Sequence, residues 1–272
     1  MAWVAPGSTA VKIGLHVPNF GAFADPGAVA DLAASAEAAG WDGFFLWDHV
    51  ARPEGTFPML DPWIALAAVA MRTGRIRIGP LVTPLARRRP WNVARQVVTL
   101  DHLSHGRVTL GIGLGISTGP EFSSFGEQSD PRTRGDMLDE GLEILRGAWQ
   151  GTPVRHEGTH YRLGPVTFIP PPAQTSVPIW GATERVTGRP VRRAAALDGI
   201  FPVGLTARQL PVLLANIARM RGGLDGYDVV AGGTDDWQQW RDAGATWWLR
   251  VLPWSRPLEE SARTVESGPP AG

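Results

Sequence analysis

The chain reads as an α/β protein, a (β/α)8 TIM barrel with a β-hairpin inserted between strands 4 and 5. Three observations predict it. Short apolar runs alternate with longer helical patterns, and eight such units in about 250 residues are what this barrel requires. The alternation breaks once, at 154–172, where two-residue periodicity and glycine turns end in Pro170-Pro171-Pro172. The sequence shows no internal repeat and no linker long enough to split domains, so one domain is expected over 11–266, with flexible termini at 1–10 and 267–272. A doubly wound sheet is the alternative.

Residues 11–17 (VKIGLHV) form the first predicted strand. Pro26 opens the first helix, because proline suits a first helical turn; Ala28 to Ala39 supply its apolar face and Gly40 its C-cap. Strand two, 44–47, ends at Asp48-His49. Asp61-Pro62, an N-cap followed by an N1 proline, starts a helix that runs to Arg72. Strand three covers 76–82, and helix three follows from Pro90 to Leu103. Strand four, 108–112, runs into Gly111-Ile-Gly-Leu-Gly115. In the helix at 134–149, Met137, Leu138, Leu142, Leu145 and Trp149 recur near helical period. After the hairpin, strands at 177–180, 199–203, 227–230 and 246–252 alternate with helices at 190–197, 207–221 and 235–243.

Composition narrows the function. Of 272 residues 43% are apolar, and 26 basic side chains balance 26 acidic ones, which removes the electrostatic reason to expect nucleic-acid or anionic-membrane partners. Absent cysteine excludes disulfides, thiolate nucleophiles, thiolate zinc and iron–sulfur clusters. Lys12 is the only lysine and lies in the first strand, a poor place for Schiff-base chemistry. No apolar stretch reaches the roughly 18–20 residues of a membrane span. Met1 to Ala10 have neither the basic head nor the apolar run of a signal peptide. A soluble, cytoplasmic protein acting on a small molecule is expected.

On a barrel, chemistry gathers where strands end. Asp48-His49, just past strand two, is the best placed pair: the histidine can relay a proton near neutral pH, and Asp48 can fix its tautomer or cap the strand. His16, near the end of strand one, is a second candidate. His102 and His105 fall at a helix C-terminus and suit its dipole. The run Arg87-Arg88-Arg89 follows strand three and reads either as a phosphate site or as a solvated loop. Gly111, Gly113 and Gly115 let a flat ring or phosphate approach the backbone but do not spell a dinucleotide fingerprint. His156-Glu157-Gly158-Thr159-His160 matches the H-E-x-x-H zinc pattern by letter. That pattern needs a helix, whereas residues four apart in a strand lie about 13 Å apart, so no metal site is expected.

Trp47-Asp48-His49, Asp101 to Arg107 leading into Leu110-Gly-Ile-Gly-Leu-Gly115, and Glu121-Phe122…Phe125-Gly126 together resemble the bacterial luciferase-like superfamily. So do Arg134…Leu138…Glu140-Gly141-Leu142, Glu157-Gly-Thr-His-Tyr161, Pro178-Ile-Trp-Gly181 and Ala195…Asp198-Gly199. The likeness runs from about Val11 to Leu252 and implies a barrel holding FMN or the 5-deazaflavin coenzyme F-420 at its mouth. It places the ring against strand three, at Leu81-Val82-Thr83, often beside a cis non-proline peptide. It brings the histidine after strand two, His49, to the ring. It assigns the phosphate to backbone at Gly181-Ala182 and Val203-Gly204. Gly113 and Leu114, at the end of strand four, and His16 complete the implied cofactor site.

The same likeness bears on which cofactor is bound. Luciferase-type FMN enzymes carry Glu-His-His where this chain has Asp48-His49-Val50, and an arginine at the position of Leu114. Both departures favour the deazaflavin, with FMN second. The glutamate and tryptophan of the deazaflavin-dependent sugar-phosphate dehydrogenases correspond to Ile116 and Pro53, so that particular mechanism is not expected. The implied activity is hydride transfer between deazaflavin and a small organic substrate. The alternatives are an FMN-dependent monooxygenase and a non-catalytic flavin-binding protein. Relatives of this kind are often dimers, so a homodimer is an expectation.

Overall fold

The computed structural model describes residues 11–116, 119–234 and 236–270. Of the flexible termini expected at 1–10 and 267–272, residues 1–10 and 271–272 lie outside the described residues, as does the expected helix start at Asp235. In chain order the strands are β1 (Lys12–Val17), β2 (Gly43–Leu46), β3 (Arg77–Pro80), β4 (Thr83–Pro84), β5 (Leu110–Gly113), β6 (Pro153–Glu157), β7 (Arg162–Thr167), β8 (Ile179–Thr183), β9 (Gly199–Pro202), β10 (Asp228–Gly233) and β11 (Trp247–Val251). Nine of these form one parallel sheet in the order β3-β2-β1-β11-β10-β9-β8-β5-β4. β3 and β4 are two halves of the third barrel strand, divided at Leu81-Val82, whose peptide bond is cis. A parallel bridge from Ile78 to Val108 closes the circle. At Gly79 a Cβ would lie 1.8 Å from the Thr109 carbonyl oxygen, so only glycine lets the closing strands approach.

The helices are α1 (Pro26–Ala38), α2 (Pro62–Arg72), α3 (Pro90–Leu103), α4 (Pro120–Ser123), α5 (Pro131–Ala148), α6 (Arg189–Ala195), α7 (Leu210–Arg221), α8 (Trp237–Asp242) and α9 (Leu258–Glu266). Three begin Asp-Pro for one physical reason. The carboxylates of Asp25, Asp61 and Asp130 accept first-turn amides at Ala28, Trp63 with Ile64, and Thr133. The following proline has no amide to leave unpaired.

Two helices escape the sequence reading. α4 is a single turn, too short to show an apolar period, whereas α9 carries Leu258, Ala262 and Val265 at helical spacing, a signal that a count ending at the eighth strand passes over. α9 docks near α1, where the Trp41 indole donates to the Val265 carbonyl at 2.9 Å. The chain beyond it is not the free tail expected from 267: Gly268, Pro269 and Pro270 are half-buried.

β6 and β7 pair antiparallel as the inserted hairpin, so His156 and His160 do not share a helical face. Instead the Glu140 carboxylate of α5 accepts the amides of Thr159, His160 and Tyr161 and meets His156 at 3.3 Å. No helix among the described residues is long and apolar enough to cross a membrane.

The barrel interior is filled at its base by Phe45, Trp180, Val230, Trp247 and Leu249. The Trp180 and Trp247 indoles both donate to the Asp228 carboxylate, at 3.0 and 3.1 Å. This satisfies the polar edges of two large buried rings. The space left open is at the C-terminal ends of the strands.

Candidate active site

A cavity of about 500 Å³ occupies that mouth, a volume in the range of small-molecule sites. It gathers eight of the residues singled out from the sequence: His16, Asp48, His49, Val82, Gly113, Leu114, Ala182 and Val203. Three others point elsewhere. Thr83 is fully buried and donates its hydroxyl to Asp48 at 2.9 Å. Gly181 faces the helix layer, where a Cβ would meet Leu197 and Ala194 at 3.0–3.2 Å. Gly204 is exposed, and a Cβ there would meet nothing within 4 Å. The Val203 amide donates to the Thr183 carbonyl at 2.8 Å and is therefore not free to hold a phosphate.

His49 lies just beyond β2, braced by buried Asn19, which accepts the His49 amide and donates to its carbonyl. Its ring is held at both nitrogens. Nδ1 lies 2.8 Å from Glu121 Oε1, and Arg52 NH1 lies 3.0 Å from Nε2. Arginine only donates, so Nε2 accepts and Nδ1–H donates to the glutamate. The orienting carboxylate is therefore Glu121 of α4, not Asp48. Burial alone would raise the Glu121 pKa. The His49 hydrogen bond and charge, Arg87 and the Val50 amide outweigh it and hold the carboxyl below its usual range.

Asp48 does other work. Its buried carboxylate takes Arg87 at 2.9 Å, Arg88 at 2.7 and 3.0 Å, and the Thr83 hydroxyl. Arg87 also approaches Glu121 at 3.1 Å. Two carboxylates thus face two guanidiniums beneath the mouth. This corrects the sequence reading of the arginine run: Arg87 and Arg88 are neither solvated nor available to a phosphate.

His16 donates Nε2–H to the Leu81 carbonyl at 2.6 Å. Its pKa is lowered to about 4, chiefly by burial, with the Leu81 hydrogen bond opposing and the His49 charge adding. It therefore stays a neutral donor at physiological pH, fixing the wall at the Leu81-Val82 break. His102 sits at the end of α3 as expected, but its Nε2 donates to the Pro171 carbonyl at 2.8 Å.

The wall suits a flat heterocycle. At Gly113 a Cβ would stand 2.9 Å from Val82 Cγ1 and 3.2 Å from Ala182 Cβ, so glycine keeps this strip open. Three polar atoms of the lining residues are buried without a partner: the donors Trp47 Nε1 and Arg134 Nε, and the acceptor Glu121 Oε2. Buried polar groups are normally paired, and these three belong to the shell around the mouth. Arg185 and Arg193 line the β8–α6 side. The sequence reading missed Arg52, Glu121, Arg185 and Arg193. Of these only Glu121 carried a signal, as part of the Glu121-Phe122 motif.

The profile of the luciferase-like monooxygenase family matches residues 3–234. The chain belongs to that family. Among the relatives of this luciferase-like chain is an uncharacterized protein of Mycobacterium tuberculosis, 38% identical over 120 residues, covering 44% of this chain and 42% of the relative. An F420-dependent glucose-6-phosphate dehydrogenase of Nakamurella multipartita is 32% identical over 216 residues, 75% of this chain and 62% of the relative. The chain thus spans about half the length of these relatives.

Among solved structures, an F420-dependent secondary alcohol dehydrogenase in complex with an F420-acetone adduct superposes with a TM-score of 0.78 at 16% identity, covering 95% of this chain and 99% of that one. A monooxygenase of Streptomyces bottropensis gives 0.76 at 24% identity, covering 93% and 96%. At these identities the likeness establishes the shared barrel.

Proposed function

We propose that this chain is an oxidoreductase that binds coenzyme F420 in the barrel mouth and moves hydride between it and a small organic substrate. The observation that carries this reading is the Glu121–His49 pair in a cavity floored by glycine and walled by the Leu81-Val82 break. The 32% identity to an F420-dependent dehydrogenase supports the cofactor. So does Leu114, which brings no charge where the FMN enzymes of the resemblance place arginine. Arg87 and Arg88, engaged with Asp48, do not replace that charge.

When bound, the deazaflavin supplies a carbon that accepts or donates hydride. The residues of the chain handle position and the proton. As an alcohol is oxidised, its carbon-bound hydrogen leaves as hydride and its hydroxyl proton passes to His49 Nε2. Glu121 keeps the other proton on Nδ1 and stabilises the imidazolium that forms. Arg52 must first release Nε2. Asp48, anchored under the loop by Arg87 and Arg88, positions His49 without touching its ring. Val82, Gly113, Leu114 and Ala182 form the ring-binding surface in this reading, and Arg185, exposed on the β8–α6 side, attracts the phosphate.

The test is to add secondary alcohols to protein loaded with oxidised F420 and follow loss of the deazaflavin absorbance. Bleaching by at least one alcohol, lost in His49→Ala while F420 affinity stays within a few-fold, is expected. Equal bleaching rates in wild type and His49→Ala would overturn the role of His49.

A further inference from the structure

Arg52 is held in an unusual way for a loop arginine at a cavity mouth. Its guanidinium carbon lies 5.2 Å from the Phe20 ring and 5.9 Å from the Trp47 ring, so aromatic faces fix the plane of the fork. NH1 points to His49 Nε2 at 3.0 Å. The opposite edge, Nε and NH2, grips the Glu54 carboxylate with both oxygens at 2.9 and 2.6 Å. Arg52 is largely buried, with 11% of its side chain exposed, while Glu54 is 46% exposed and only two positions away. The fork is rigid, shaped for a carboxylate and aimed at the proton-handling histidine, yet its present partner is an exposed local side chain. It is the carboxylate half of this pair that reaches solvent, so the place of Glu54 is open to a carboxylate arriving from outside.

We propose that Arg52 anchors the substrate, and that the substrate carries a carboxylate which takes the place of Glu54 on the guanidinium. This deepens the function proposed above and rests on its reading that a small substrate meets His49 in this mouth. Glu54 acts as an internal competitor that neutralises the fork until substrate arrives. Of the other lining arginines, Arg185 lies on the β8–α6 side, and two are engaged differently. Arg134 donates to the Leu114 carbonyl and stacks on Phe122, and Arg193 pairs with Asp139. Bidentate capture of a carboxylate is chemistry that a lysine or an amide does not reproduce.

The experiment titrates the full chain, labelled with ¹⁵N-histidine, with sodium acetate at constant ionic strength, and reads the His49 ring resonances. Isopropanol serves as the neutral probe. Glu54→Gln, a change at an exposed position, is expected to bind acetate at least fivefold tighter than wild type. Arg52→Gln is expected to show no saturable shift with acetate, and any response to isopropanol is expected to be the same in Arg52→Gln and wild type. Equal acetate affinity in Glu54→Gln and wild type overturns the proposal, as does saturable acetate binding retained in Arg52→Gln. No deazaflavin enters this titration, so failure of the cofactor to bind would leave its result intact, and failure here would leave the cofactor reading intact.

Discussion

Glu121 Oε1 sits 2.8 Å from His49 Nδ1, although 72 positions separate the two residues and α4, which carries the glutamate, is one turn long. That contact sets which nitrogen of His49 faces the cavity as an acceptor. ¹⁵N spectra of the wild-type His49 ring are expected to show Nδ1–H alone, held by Glu121 on one side and Arg52 on the other, and Glu121→Gln replaces the charge-assisted bond by a neutral one. A charge-assisted bond of this kind is worth about 1.5–3 kcal/mol, so turnover should fall roughly ten- to a hundredfold. A wild-type ring protonated on Nε2 would contradict the assignment.

His16 ties stability to pH. Its folded pKa of about 4 lies below its unfolded value of 6.5, so the unfolded chain binds the extra proton first as pH falls. The stabilisation is complete above pH 6.5 and is lost progressively down to about pH 4, amounting to about 3 kcal/mol. Glu121, also depressed, acts in the same direction but below its ordinary value of 4.5. His16→Gln retains a donor for the Leu81 carbonyl without the titration. Urea midpoints from pH 4 to 7 should therefore vary less in this variant than in wild type.

Asp48 is expected to behave as a structural anchor. Asp48→Asn removes the charge facing two guanidiniums whose side chains are only 6% and 16% exposed. Breaking buried pairs of this kind costs about 3–5 kcal/mol. Equilibrium urea denaturation should show that loss; a change below about 1 kcal/mol would mean that Arg87 and Arg88 find other partners.

Much of this was legible in the chain. Apolar runs, Pro26 at N1 and the Asp61-Pro62 cap are local signals, and they locate the barrel strands and the first two helices within a few residues. His49 was visible because strand ends are where barrels do chemistry. Its partner was not: pairing Glu121 with His49 depends on how the loop after β5 folds over the loop after β2, which no local pattern encodes. The roles of Asp48 and the arginine run were misread for the same reason, since both depend on a contact across about 40 positions. The resemblance assigned Gly181 to the phosphate through its backbone; that a Cβ there would meet Leu197 and Ala194 of the helix layer is not encoded locally.

The floor of the cavity offers a separate test. Gly113→Ala places a methyl group between Val82 and Ala182, where it must displace atoms at 2.9 and 3.2 Å. F420 affinity is expected to fall at least tenfold, with a shift in the thermal midpoint of no more than a few degrees. Unchanged affinity would move the ring away from this strip.

The most direct measurement is equilibrium titration of the protein with F420 and, separately, with FMN, at one fixed salt concentration. Leu114 supplies no charge, and a missing charge-assisted bond to phosphate removes about 1.5–3 kcal/mol. F420 is expected to bind tighter than FMN. FMN binding at least tenfold tighter would contradict the deazaflavin assignment and point to oxygen-dependent chemistry instead.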